Sequence, residues 1–181
     1  MAGGIDAWNG LVAEGGYDSG LAYFSGASGA EELISLSWAL EEGNRVFYDH
    51  IAGETGEGEE GALFRSLVLA EERHKATLRE LFLLSSGKDA DPEPPEGLEA
   101  GGILEGGISL GEALAWVRGK TPREILELSI AMEANALDRY IKMGRAVEDE
   151  RSRKVFLALA EEEQAHLTRM ASTLDRLSKE E

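Results

Sequence analysis

Three residues of this 181-residue chain are written a second time at one fixed spacing. Glu41, Glu71 and His74 recur as Glu133, Glu163 and His166, every copy 92 positions further on (41 to 133, 71 to 163, 74 to 166). The same offset pairs Glu32 with Glu124, Leu36 with Leu128, Ser37 with Ser129, Ala39 with Ala131, Tyr48 with Tyr140, Phe64 with Phe156 and Leu67 with Leu159, and sets Leu78 against Met170. An ungapped series from 32 to 78 and again from 124 to 170 implies a duplicated helical hairpin. A chain built this way must bring its two copies together round one core.

The punctuation between the copies agrees. Residues from about Ala30 to Ile51 read as a first helix, ended by Gly53 and the Gly56-Glu57-Gly58 turn, and a second helix is expected from about Glu59 to Leu84. Three of the four prolines and six glycines fall in 85–107, which marks an irregular connection, with Ile108 to Arg118 as a short helix. Thr121-Pro122 opens the third helix, Thr as N-cap, Pro in the first position and Glu124 in the third, and a fourth is expected from about Arg151 to Ser178. Two tight hairpins joined by a crossover at about 85–120 predict an all-α, ferritin-like four-helix bundle over residues 30–181.

Each helix carries a stripe with 3-4-3-4 spacing, the pattern of a buried seam. The stripes are Ile34, Ser37, Glu41, Asn44, Tyr48, Ile51; Phe64, Leu67, Glu71, His74, Leu78, Leu81; Leu126, Ser129, Glu133, Ala136, Tyr140, Met143; and Phe156, Leu159, Glu163, His166, Met170. All are apolar at the ends and polar at the centre. Glu31, Glu42 and Glu161 fall off the stripes and read as solvated surface charge. His50, off the stripe and without a paired Glu, reads as a surface residue.

Four carboxylates cannot share a buried layer without compensation, because each is costly to bury and all repel one another. Two divalent cations would neutralise them. In Glu-x-x-His both side chains leave one side of the helix, so each hairpin offers two carboxylates and one imidazole. A lone motif of this type is usually a surface pair; two copies, each with a second Glu thirty positions earlier (41 to 71, 133 to 163), predict a dimetal site of Glu41, Glu71, His74, Glu133, Glu163 and His166. Mixed oxygen and nitrogen donors suit two iron ions, with manganese or a mixed pair as variants, rather than calcium or magnesium. Tyr48 and Tyr140, seven residues beyond Glu41 and Glu133, read either as plain core tyrosines or, the preferred reading, as hydrogen-bond partners of the ligands.

Composition narrows the function further. A net charge of −17 opposes nucleic acid and anionic membrane surfaces, and the absence of cysteine removes disulfides, thiolate metal sites and cysteine nucleophiles. The stretch Met1 to Trp8 lacks the basic and apolar segments of a secretory signal, and no apolar run is long enough to span a bilayer, so a cytoplasmic location is expected. Residues 1–29 form a Gly-rich N-terminal arm. Within it Gly3 to Leu11 resembles the last turn and helix of a rhodanese domain, which would mark a domain boundary or a fusion remnant; the other reading is a Gly-rich tail whose Trp8 docks on the bundle.

Over about residues 30–178 the metal pattern resembles the ferritin-like di-iron carboxylate proteins, and within them the rubrerythrin group, notably in the Glu41 to Tyr48 and Glu133 to Tyr140 spacings. The resemblance implies that Glu71 and Glu163 bridge the metals, that Glu41 and Glu133 are terminal ligands, and that His74 and His166 each complete one metal. It also implies a peroxidase-type di-iron oxidoreductase acting on hydrogen peroxide or, less readily, dioxygen, in peroxide detoxification, and favours a homodimer. Two departures stand out. The additional Glu that rubrerythrins place three residues before the helix-three ligand is Ile130 here, and the four cysteines of their rubredoxin-like domain are missing, so electrons would come from an external donor protein. The symmetric remainder is closer to the ferroxidase centre of bacterioferritins. A ferroxidase or iron-handling protein, and a non-catalytic metal-binding interaction module, are the alternatives.

Overall fold

The computed structural model describes residues 29–180. Five helices follow one another: α1 Ala30–Thr55, α2 Glu59–Ser86, the short α3 Leu110–Trp116, α4 Pro122–Ala146 and α5 Glu150–Glu180. There is no β-strand among the described residues; one antiparallel bridge joins Ile103 to Ser109. The expected all-α bundle of two hairpins and a crossover is therefore the architecture observed. The N-terminal arm, with its rhodanese-like Gly3 to Leu11, lies outside the described residues.

Local chemistry explains the boundaries. At the start of α4 the Thr121 side chain accepts from the Glu124 backbone while the Glu124 carboxylate accepts from the Thr121 N–H, a reciprocal cap that also holds Ser109 and Glu112 at the start of α3. Gly87 closes α2 in the left-handed conformation, φ 73°, its N–H donating to the Leu83 carbonyl. One expectation fails at α1, which runs through Gly53 to Thr55 and stops at Gly56. A single interior glycine weakens a helix by only about 1 kcal/mol, and the buried Ile51 and Ala52 beside it hold the turn in register. The other helix ends lie within about two residues of those expected, as fraying makes usual.

All the positions of the four stripes are buried. They separate into two apolar clusters, one including Tyr48, Ile51, Phe64, Leu67, Leu126 and Met170, the other Ile34, Leu78, Leu81, Tyr140, Met143, Phe156 and Leu159. Between these lies a polar layer. Cross-contacts show that α1 and α4 run antiparallel, since Ser37 Oγ lies 3.6 Å from Met143 Sδ at one end and Tyr48 meets Glu133 further along. No helix among the described residues is long and apolar enough to cross a membrane.

Residues 103–106 of the crossover are packed onto the bundle. A Cβ on Gly43 of α1 would sit 1.8 Å from the Ile103 carbonyl oxygen, so only glycine admits this approach. The turn that follows is closed by Leu104 N–H to the Ile108 carbonyl at 2.8 Å and carries Glu105 down against the helices. Two substitutions separate these roles. Gly43→Ala should lower stability by about 1–3 kcal/mol through overpacking, whereas Gly53→Ala, whose Cβ meets nothing within 4 Å, should raise it by about 1 kcal/mol. Denaturant midpoints of the two variants measure both effects.

Candidate metal centre

The polar layer contains all six predicted ligands, none more than 1% exposed. Helix α1 supplies Glu41, α2 supplies Glu71 and His74, α4 supplies Glu133, and α5 supplies Glu163 and His166. In each hairpin the imidazole turns Nδ1 inward. His74 Nδ1 lies 3.3 Å from Glu41, 3.4 Å from Glu71 and 3.1 Å from Glu163. His166 Nδ1 lies 3.0 Å from both Glu133 and Glu163. The two rings stack with centroids 5.4 Å apart, so the hairpins meet at the histidines.

Glu163 spans that junction. Its Oε1 faces His74 and its Oε2 faces His166, which is the placement a bridging carboxylate requires. Donor atoms of Glu41, Glu71, His74 and Glu163 fall within 4.8 Å of one another, as do those of His74, Glu163 and His166. Both Glu71 oxygens and Glu163 Oε1 are buried without a well-formed hydrogen bond. Buried acceptors left without donors fit a cation as the missing partner. The donor set, oxygen with imidazole nitrogen, fits a transition metal.

The tyrosines cross between the hairpins. Tyr48 of α1 donates to Glu133 Oε1 of α4 at 2.5 Å, and Tyr140 of α4 donates to Glu41 Oε1 of α1. Each fixes the rotamer of a carboxylate in the other copy. His50 is exposed beside Glu54, as read from the sequence. Glu31 and Glu161 are exposed as well, but Glu42 departs from that reading: it is half-buried and ion-paired with Arg45 and Lys75. Ile130 packs against the apolar cluster around Tyr48, so its position offers no donor.

Two buried charges escaped the sequence reading. Arg139, beside the α4 stripe, donates to Glu41 Oε1 at 2.8 Å and pairs with Glu105 from the crossover. The repeat did hold a signal, because the equivalent of Arg139 is the apolar Phe47. Glu105 gave none, lying in an irregular segment whose path only packing decides. Glu162, about half exposed, adds a third contact, 3.4 Å from His74 Nε2.

The chain is rubrerythrin-like. Its second hairpin, residues 124–181, matches the rubrerythrin family. No curated protein matches the chain. Among solved structures, a hypothetical protein from Pyrococcus furiosus has the same fold, with a TM-score of 0.63 and 23% identity over 83% of this chain and 91% of its own. Rubrerythrins typically bind iron, and the carboxylate and histidine cluster of this rubrerythrin-like bundle could hold such a metal.

Proton distribution in the metal-free layer shows what a cation must displace. Burial, reinforced by the Glu41 charge, raises Glu71 well above the carboxylate range, and burial with the Glu163 charge raises Glu133 to about 8. Burial acts upward on Glu163 and Glu41 too, but hydrogen bonds outweigh it: those to His166 and His74 hold Glu163 at about 2, and those to Glu71 and His74 hold Glu41 low. Burial alone would lower the histidines; carboxylate contacts instead raise His166 to about 9 and His74 further. At neutral pH the layer thus balances two carboxylates against two imidazolium ions. Loading two divalent ions should release close to four protons, from Glu71, Glu133, His74 and His166. Because protons compete, metal affinity should fall as pH falls, and more steeply below about 9, where His166 and then Glu133 take up protons. An indicator-dye titration in weak buffer measures the release, and fewer than about two protons per pair would contradict this distribution.

Proposed function

We propose that this chain is a non-haem di-iron oxidoreductase of rubrerythrin type that reduces hydrogen peroxide, with dioxygen as the slower oxidant. The observation that carries the reading is the buried layer itself, in which four carboxylates and two inward-facing imidazoles from duplicated hairpins converge and Glu163 touches both imidazoles. Two iron ions would supply the two electrons that, with two protons, convert one peroxide into two waters.

The chain's own residues would do the holding. Glu41 and His74 would serve one ion, Glu133 and His166 the other, and Glu71 and Glu163 both. Tyr48 and Tyr140 keep the terminal carboxylates aimed while the metal charge changes, since each is fixed by a hydroxyl from the opposite hairpin. The apolar clusters above and below restrict water to the ligand layer. With no cysteine to carry a second redox centre, the electrons would come from a separate donor protein.

One observation favours a second reading. Residue 130 is an isoleucine packed into the apolar cluster, so the additional carboxylate of rubrerythrins has no counterpart there, and the symmetric set resembles a ferroxidase centre. Stopped-flow mixing of anaerobic, iron(II)-loaded protein separates the readings. Faster oxidation by peroxide than by air-saturated buffer supports the peroxidase, and the reverse order supports the ferroxidase. Fewer than about one iron per chain after iron-replete purification would remove both.

Substitutions test the ligand set itself. Glu71→Ala and Glu163→Ala should each lower bound iron by at least about tenfold in affinity. Glu42→Ala, which disturbs only the pairs with Arg45 and Lys75, should retain it. Elemental analysis with equilibrium dialysis reads both.

A further inference from the structure

The duplication makes the two halves of the ligand layer alike, and a buried charge breaks the likeness. Residue 47 is Phe, its ring meeting Tyr48 edge-on at 5.7 Å. The equivalent residue 139 is Arg, its guanidinium 3.9 Å over the ring of Tyr140 and 2.8 Å from Glu41 Oε1. Glu41 Oε1 therefore accepts from two donors, Tyr140 and the cationic Arg139. Glu133 Oε1 accepts from the neutral Tyr48.

We propose that Arg139 makes the two metal positions unequal: the one formed by Glu133 and His166 fills first, and the one formed by Glu41 and His74 fills second and releases its ion more readily. This rests on the two-metal reading above.

The physical argument is one of fixed charge. Arg139 is 3% exposed, so neither water nor salt screens it well from a divalent ion arriving a few ångströms away. It also draws electron density from the carboxylate that must donate to that ion. Glu105 tempers the effect, because the same Arg139 Nη2 that reaches Glu41 reaches the Glu105 carboxylate. That carboxylate is held in place by the crossover, through the Glu105 N–H to Asn44 Oδ1 at 3.2 Å and the close passage of Ile103 over Gly43. Glu162, at His74 Nε2, acts the other way, favouring the metal on His74, but it is 48% exposed and its charge is largely screened. Its equivalent in the first hairpin is Ala70. The buried cation dominates, and Arg139 is a positioning residue acting through Glu41.

Calorimetric titration of the metal-free full chain with cobalt(II) tests this without any turnover. The unmodified protein should bind in two steps whose dissociation constants differ by about tenfold or more. His166→Ala should abolish the tighter step and His74→Ala the weaker. Arg139→Met should tighten the weaker step by about tenfold and draw the two together. Glu105→Gln, which removes one of the charges facing the arginine, should weaken that step further while sparing the tight one. Opposite shifts from the two halves of one ion pair are not produced by general loosening, which would weaken both steps and lower Tm in both variants. If Arg139→Met does not fold, the pair Arg139→Met with Glu105→Leu removes the cation without stranding a buried carboxylate, and is read in the same way. Equal steps in the unmodified protein, or shifts in the same direction for Arg139→Met and Glu105→Gln, would overturn the proposal and leave the two-metal reading standing. Absence of any cobalt binding would overturn both.

Discussion

The rest of the structure depends on the cost of placing four carboxylates in one dry layer. Glu41, Glu71, Glu133 and Glu163 sit between two apolar clusters, where water cannot offset their repulsion. Metal-free, the layer copes by redistributing protons, leaving Glu71 and Glu133 neutral and setting Glu41 and Glu163 against two imidazolium ions. That distribution leaves Glu71 without a well-formed hydrogen bond. A divalent cation could serve as the missing partner of the Glu71 oxygens.

The same constraint explains how the hairpins are joined. Each copy brings a carboxylate on one helix and Glu-x-x-His on the other, with the histidine against that carboxylate, and the hydroxyl on each such carboxylate comes from the other copy. Tyr48 holds Glu133 and Tyr140 holds Glu41, so the hydroxyls fasten α1 to α4 across the pseudo-symmetric interface. Glu163 does likewise on the other side, between His74 and His166. Docking of the hairpins therefore completes the layer, adding the tyrosine hydroxyls and the Glu163 to His74 contact to the histidine and carboxylate pairs already present within each half.

Symmetry broken at a few points around the layer matters more than symmetry kept at many. Phe47 against Arg139 and Ala70 against Glu162 place charge near Glu41 and His74, where the other half has apolar groups. The crossover contributes too, since it delivers Glu105 to Arg139 and is admitted by Gly43. A segment that merely connects two hairpins in the sequence thus supplies part of the electrostatics of the site.

The bundle, its stripes and the six candidate ligands were legible because they are periodic. Helical spacing and a repeat offset are properties of the chain itself, and every stripe residue from Ile34 to Met170 is buried as its spacing requires. The end of α1 was misplaced at Gly53 because a local breaker is only a weak energy against the packing of Ile51 and Ala52. Arg139 and Glu105 were missed for a different reason: whether a charge beside a stripe turns to solvent or inward depends on what stands opposite, and here that is a carboxylate brought from a crossover with no period of its own. The sequence by itself determined which residues share a helix face, and hence the fold and the ligand layer. Only the tertiary structure decided which tyrosine serves which carboxylate and where the buried charges pair, since those contacts join residues whose separation along the chain carries no pattern.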